Sequence, residues 1–213
     1  MPSSSQWVAF LLASILFIQV PGPSLLFTIG RALTVGRRDA LLSVVGNGLG
    51  LMIQVALVAV GLGAVVAASA SAYTAIKLVG AAYVVYLGVQ AFRHRGDARA
   101  ALEAASDAPP VRSSGFASVR TGMIVGSTNP KTIVFFVAFL PQFTDEAAGS
   151  PGSAIALLGL VFGVMAIASD TVWALAASKA RDWFAKRPQR LDRLGAAGGV
   201  MMVSLGTTMA LAD

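Results

Sequence analysis

The chain has no cysteine and only one histidine, so it lacks most of the side chains that bind metals or form covalent intermediates. The absence of cysteine excludes disulfides and thiolate metal sites. His94 follows an apolar run and lies among basic residues. We interpret it as a solvated side chain and not as a metal ligand or proton relay. No cofactor is expected.

Charged residues are also scarce, at 12% of the chain, about half of the share usual in soluble domains. Hydrophobic residues make up 56%, and the mean hydropathy is +0.74. A membrane-spanning helix needs roughly 20 apolar residues. Six such segments can be placed, at about 7–30, 40–66, 73–92, 116–140, 153–178 and 194–212. They leave no room for a soluble catalytic domain, so the composition predicts an all-α integral membrane protein with six transmembrane helices.

The basic residues that are present follow a pattern, because fourteen of the sixteen fall in three short stretches between apolar segments. The three groups are Arg31, Arg37 and Arg38; Arg93, Arg95, Arg99, Arg112 and Arg120; and Lys179, Arg181, Lys186, Arg187, Arg190 and Arg193. The connections between these stretches hold no basic residue except Lys77. This distribution is typical of cytoplasmic loops. It also accounts for a pI of about 10.3 through anionic lipid at the membrane surface, without nucleic acid as a partner.

The same distribution predicts the topology, with the N-terminus and the C-terminus outside. No Lys or Arg precedes Arg31, so the first apolar run lacks the positive region that begins a signal peptide, and we expect it to remain as a span. The spans divide into two halves, residues 1–92 and 116–213, joined by a hydrophilic cytoplasmic linker at 93–115. Three spans in each half would insert the second half upside down relative to the first.

Proline interrupts the first and fourth predicted spans, at matching places in the two halves. The breaks are Pro21-Gly22-Pro23 and Asn129-Pro130-Lys131. Inverted repeats with interrupted helices at corresponding positions indicate the binding site of a transporter. A proline kink without a function is the alternative for the first break.

Each break leaves backbone groups without a helical partner. Pro21 removes the donor to the carbonyl of Phe17, Pro130 removes the donor to the carbonyl of Gly126, and Gly22 lets the chain leave helical geometry. Such groups persist in a membrane only where protein or a wet cavity supplies partners. A half-helix that begins at Pro23-Ser24 would present its positive end and free N–H groups to a carboxylate. Asn129 can cap the other half-helix.

Two charged side chains lie inside predicted spans, and intramembrane charges indicate functional sites. Lys131 would line the site or extend toward the cytoplasmic face. Asp170 would relay a proton, bind a substrate amine or form a structural ion pair with Lys131. Asn47 and Gln54 add neutral polar groups, for a ligand or for contacts between helices. Small-xxx-small pairs such as Gly46/Gly50 fit packing within one bundle or a homo-oligomer, and both remain open.

Three segments together resemble the LysE-type translocators, a family of bacterial lysine and homoserine/threonine/leucine exporters. The segments are PGPSLLFTIGRALTVGRRDAL at 21–41, KLVGAAYVVYLG at 77–88 and STNPKTIVFFVAFLPQF at 127–143. Asp170 fits the acidic residue of the fifth span. The resemblance implies a six-span inner-membrane exporter of amino acids or close derivatives, driven by the proton gradient. It also implies the signature positions Pro21, Gly22, Pro23, Asn129, Pro130 and Lys131.

We therefore predict a secondary transporter of the bacterial inner membrane that exports an amino acid or an analogue in exchange for a proton. Its predicted site consists of Pro21, Gly22, Pro23, Ser24, Asn47, Gln54, Asn129, Pro130, Lys131 and Asp170. The partners would be the substrate, protons and the lipid bilayer. An intramembrane enzyme is one rival, although one histidine and one deep carboxylate offer little acid–base chemistry. A passive channel or structural membrane subunit is the other.

Overall fold

The computed structural model describes residues 3–68, 70–97, 99–100, 103, 114–143, 151–180, 183 and 186–211. Regular structure in these residues is entirely helical. The α-helices are α1 (Ser4–Gln19), α2 (Pro23–Thr34), α3 (Arg37–Ala68), α4 (Ala70–Arg93), α5 (Gly115–Thr128), α6 (Pro130–Ala138), α7 (Pro151–Lys179) and α8 (Gln189–Leu211), and a 3-10 helix at Leu140–Phe143 follows α6. Much of the predicted linker at 93–115 lies outside the described residues.

Two of these helices are long and apolar enough to cross a membrane, over Arg37–Gly61 in α3 and Gly152–Lys179 in α7. The pair α1 and α2 makes a third span if a pair bent by 49° counts as one. The helix α4 is apolar over the shorter stretch Leu78–Arg93. The described part of the chain is thus a helical membrane protein with two or three spans by length and composition. The six-span count and the inverted repeat stay predictions.

Glycines bring α3 and α5 together backbone to backbone. A Cβ atom on Gly46 or Gly50 would overlap the main chain of α5, and one on Gly122 or Gly126 would overlap the main chain of α3. Such close approach is how helices associate in lipid, where apolar side chains gain little from leaving the solvent. In these two pairs the spacing therefore serves packing within one bundle. The packing fixes Asn47, on the same stretch of α3, beside the second helix break.

The helices α4 and α8 form a second close pair. Gly88 and Gly199 face each other across it, and a Cβ on either would lie 2.6–2.7 Å from the carbonyl oxygen of the other. A Cβ on Gly198, the neighbour of Gly199 in α8, would overlap the backbone of Pro21. The helix α8 therefore also lies against the first break. This pair therefore forms one wall of the region around the break.

A group of stacked phenylalanines joins α1, α6 and α7. The ring centroids of Phe17 and Phe135 are 4.2 Å apart, and those of Phe135 and Phe162 are 4.9 Å apart. All three side chains are buried, and rings at these separations attract one another beyond the effect of burial. Phe17 lies in the last turn of α1, so the group holds the end of the first half-helix against the second half of the chain.

Candidate functional site

The first helix break is held by a lysine from the second break. The helix α1 ends at Gln19 and α2 begins at Pro23. The buried ammonium of Lys131 donates hydrogen bonds to the carbonyl oxygens of Phe17, at 2.7 Å, and Val20, at 2.6 Å. The Phe17 carbonyl is the one that Pro21 was predicted to leave without its helical donor. A cation at the negative end of α1 is favourable, so Lys131 caps this half-helix from inside the protein.

The second break is held by a side chain of α3. The amide of Gln54 donates to the carbonyl oxygen of Gly126 at 2.8 Å, and also to those of Ser127 and Asn129 at 3.1 and 3.2 Å. The Gly126 carbonyl is the one that Pro130 was predicted to free. The hydroxyl of Thr132 donates to the Gln54 side-chain oxygen at 2.7 Å. Protein groups therefore supply the partners that both breaks require in hydrocarbon.

The two half-helices that begin at the breaks differ in their N-terminal caps. On α6, the Asn129 side chain accepts a hydrogen bond from the backbone N–H of Lys131 at 3.1 Å. On α2, Gly22 occupies the cap position and provides no side-chain acceptor. Proline in the first position supplies no N–H, so the free donors of α2 begin at Ser24. The N-terminus of α2 is thus the one left open to an anion.

Gly22 is required for space and not for backbone freedom. Its φ of −123° and ψ of −173° describe an extended conformation that any residue can adopt. A Cβ atom here would lie 2.6 Å from Cδ and 3.4 Å from Nζ of Lys131. The chain does leave helical geometry at this residue, as predicted, but its conformation there does not depend on glycine. The glycine makes room for the lysine that caps α1.

Asp170 lies in a small polar cluster with residues of α2 and α3. Its Oδ2 accepts a hydrogen bond from the Asn47 amide at 2.9 Å and from the Ser24 hydroxyl at 3.4 Å. The same Asn47 amide donates to Ser24 at 2.6 Å. The other polar atom of Asn47, Oδ1, is buried and has no hydrogen-bond partner among the described residues. A buried acceptor without a donor is costly, and its position beside a carboxylate is suited to a cationic group.

Lys131 and Asp170 border one cavity of about 40 Å³ without forming an ion pair within 4.0 Å. Ser24, Asn47, Asn129 and Thr132 also line this cavity. The structure thus brings together both breaks and both of the charges that were predicted to lie inside spans. Four predicted site residues do not line this cavity. Gln54 holds the second break, Pro21 lies against Gly198, and Pro23 and Pro130 line other cavities.

A larger cavity of about 580 Å³ lies between α2 on one side and α4 and α8 on the other. It begins at Gly22 and Pro23 and ends among Arg31, His94 and Arg95. Gly22 borders both cavities. The polar cluster therefore lies beside a space that leads toward the basic end of α2. Sequence reasoning did not predict this cavity.

Arg31 differs from its predicted place in a basic loop. It lies in the last turn of α2, and its guanidinium donates to the hydroxyls of Ser43, at 3.1 Å, and Ser118, at 2.7 Å. Ser118 in turn donates to Asp39 at 3.0 Å. The arginine therefore joins α2 to the first turns of α3 and α5. Its place among other basic residues in the sequence concealed this role, since nothing local distinguishes a paired arginine from a solvated one.

Gln19 makes two hydrogen bonds that join helices. Its amide donates to the Ser169 hydroxyl at 3.2 Å, and its side-chain oxygen accepts from the Trp173 indole at 3.0 Å. Both partners lie on α7, on either side of Asp170. The end of α1 is thereby attached to the helix that carries the carboxylate.

The chain matches the LysE type translocator family over residues 15–213. It is 34% identical to an uncharacterized membrane protein of Vibrio cholerae serotype O1 over 211 residues, 97% of each chain. It is 33% identical to the homoserine/homoserine lactone efflux protein of Salmonella typhimurium over 210 residues, 97% of this chain and 96% of that protein.

A more distant relative, the leucine efflux protein of Klebsiella pneumoniae, is 25% identical over 194 residues, 89% of this chain and 86% of that protein. No solved structure matches the chain significantly. The family consists of membrane translocators and not of enzymes, in agreement with the helix breaks and apolar helices. The family match covers nearly the whole sequence, both breaks and Asp170 included, and the chain therefore belongs to the LysE type translocators.

Proposed function

We propose that this protein is a secondary transporter that exports amino acids or close derivatives across the bacterial inner membrane by exchange for protons. The observation that carries the proposal is the meeting of two proline breaks and two intramembrane charges, Lys131 and Asp170, around one polar cavity. Relatives named as homoserine/homoserine lactone and leucine efflux proteins support the direction and the class of substrate. The six spans would form two inverted halves, each with a broken first helix.

The substrate carboxylate would bind at the N-terminus of α2. The backbone N–H groups of Ser24 and Leu25 are in the first turn of this helix, and its cap position holds no competing side chain. Aligned peptide dipoles and free N–H groups favour an anion there. Lys131 adds positive charge at the same place, while its hydrogen bonds to carbonyl groups keep it in position.

The substrate ammonium would bind between Asp170 and the unpartnered oxygen of Asn47. Both acceptors belong to the same cluster, and a protonated amine satisfies a carboxylate and an amide oxygen at once. Protonation of Asp170 from the outside would remove the charge that holds the amine. Release of the substrate would then be coupled to the uptake of one proton.

Alternating access would open the site to one side at a time. The cavity between α2, α4 and α8 reaches from Gly22 to Arg95, which the charge distribution assigns to the cytoplasm. On another side of the polar cluster, Phe17 and Phe162 line the small cavity. We take this conformation as inward-facing, with the phenylalanine group closing the path to the outside. Rocking of the two halves would open that path.

Export by purified protein tests the proposal directly. Liposomes that contain the protein and labelled amino acids should release the substrate faster when a proton gradient is imposed, and substrate should drive proton movement in return. An intramembrane enzyme would convert the amino acid instead, and a passive channel would release it without proton movement. Release that is unaffected by the gradient would reject proton exchange.

The proposed topology can be measured because the chain has no native cysteine. Cysteine at Ser71, an exposed residue in the first turn of α4, should react with a membrane-impermeant thiol reagent in intact cells. Cysteine at Ser106, in the predicted linker, should react only after the membrane is opened. Equal labelling of the two positions in intact cells would contradict the proposed orientation of the spans.

A further inference from the structure

The polar cavity is too small to hold an entire amino acid. A water molecule needs roughly 10–15 Å³ on this measure, so a cavity of about 40 Å³ accommodates only a few waters or a charged head group. Small-molecule sites usually measure about 300–1,000 Å³. The neighbouring cavity, at about 580 Å³, is in this range, and Gly22 lines both cavities, so they adjoin at the first helix break.

The larger cavity has apolar walls over most of its length. The side chains Leu26, Ile29 and Leu33 of α2 form one wall, and Leu87 and Ala91 of α4 face them. Leu191 and Met202 of α8 add further apolar lining. Such walls favour an apolar occupant, because each methylene removed from water raises affinity about fourfold.

The mouth of this cavity carries positive charge. Arg31 and Arg95 line it, and Asp97 is the acidic residue among its described lining residues. A ligand whose side chain carries a cation would meet two guanidinium groups and one carboxylate on its way in. Apolar walls would then remove the hydration of that cation without supplying a partner.

We infer, on the basis of the proposed function, that the transported compounds are neutral amino acids or derivatives with an apolar side chain. Their carboxylate and amine occupy the polar cluster at Asp170. Their side chain extends past Gly22 into the cavity between α2, α4 and α8. Leucine and methionine fit this description, whereas alanine leaves the cavity unfilled and lysine brings a charge into apolar walls.

Counterflow into liposomes that contain the full chain tests this inference. With labelled leucine, methionine, alanine and lysine, the half-saturation concentrations for leucine and methionine should be at least tenfold below that for alanine. Lysine should not be transported. Comparable transport of lysine and leucine would overturn the inference and leave the proposed function intact. Failure to transport any amino acid would overturn the proposed function itself.

Two variants of α4 distinguish an effect of the cavity from a general effect on the protein. Ala91→Phe fills the cavity and should raise the half-saturation concentration for leucine about tenfold while alanine transport is retained. The control is Val89→Phe, on an exposed part of the same helix. It should leave the half-saturation concentrations of both substrates unchanged. Retained alanine transport also demonstrates that the variant folds.

A second variant enlarges the same cavity instead of filling it. Leu26→Ala widens the cavity beside the polar cluster and should improve phenylalanine transport relative to leucine. If Ala91→Phe leaves leucine transport unchanged, or Leu26→Ala leaves the preference unchanged, lipid and not substrate occupies the cavity, and the inference fails.

Discussion

Asp170→Asn is expected to abolish proton-driven export while the protein still reaches the membrane. Asparagine has the size of aspartate and can accept the hydrogen bonds from Asn47 and Ser24, so the cluster can persist. It carries no charge to hold a substrate amine and no site for a cycling proton. We expect export to fall at least a hundredfold, with slow substrate exchange as the most that remains. Transport in liposomes with and without a proton gradient measures both.

The matched control is Glu103→Gln, which neutralises an exposed acid. Glu103 pairs with Arg99 at 3.9 Å, and its side chain is 57% exposed. Exposed ion pairs contribute about 0–1 kcal/mol, so this variant should transport at the normal rate. Proton-driven export by Asp170→Asn equal to that of this control would remove Asp170 from the coupling mechanism.

A double variant separates coupling from a structural ion pair. If Asp170 merely neutralised Lys131, Asp170→Asn with Lys131→Met would recover folding and export. The structure argues against recovery, because the Lys131 ammonium already binds the carbonyls of Phe17 and Val20. Methionine would remove this donor from both carbonyls and leave Phe17 with only the longer bond from the Val20 N–H, at 3.3 Å. We therefore expect the double variant to be less stable than Asp170→Asn alone and equally inactive, and recovered export would reject the coupling role.

The positions of the breaks and of the charges could be predicted from the sequence, because proline acts locally. A missing N–H at Pro21 or Pro130 identifies which carbonyl is freed, whatever surrounds the helix. The freed carbonyls of Phe17 and Gly126 indeed have new donors. Lysine or aspartate inside an apolar run is equally conspicuous, since its burial requires a partner.

The donors themselves could not be predicted from the sequence. Lys131 is more than a hundred residues from Phe17, and Gln54 is about seventy from Gly126. Which side chain reaches which break depends on how α3 packs against α5 and on how α1 lies against α6. Glycine spacing suggests that helices approach closely, but not which ones. The sequence suggested that Lys131 lines the site, and it does border the polar cavity, but its hydrogen bonds to the end of α1 could not be foreseen.

Gly22→Ala is expected to stop transport and lower stability, because the added methyl group takes the place of the Lys131 side chain. The new Cβ would lie 2.6 Å from Cδ of Lys131, closer than any ordinary contact. The lysine would have to move and release the carbonyls of Phe17 and Val20. A buried carbonyl left without a donor costs about 1–3 kcal/mol, and the Phe17 carbonyl would keep only the 3.3 Å bond from the Val20 N–H. A lower melting temperature in detergent and loss of export should appear together.

Gly61→Ala is the control for a glycine without such a neighbour. Among the described residues, and apart from its own turn of α3, a Cβ on Gly61 meets no atom within 4 Å. Alanine is favoured over glycine inside a helix by roughly 0.5–1 kcal/mol, so this variant should be as stable as the original chain or more so, with unchanged transport. A similar loss of stability and transport in both variants would show that glycine is needed at position 22 for a reason other than the contact with Lys131.

A double-mutant cycle isolates that contact. In Lys131→Ala the long side chain is absent, so adding Gly22→Ala creates no clash, and its extended backbone suits alanine. The second substitution should then change the melting temperature far less than it does in the original chain, which means a strongly non-additive pair. Additive effects would instead mean that Gly22 acts on the backbone by itself. Non-additivity would mean that Gly22 acts by leaving room for Lys131. The lysine then binds the end of α1 and keeps the site in shape.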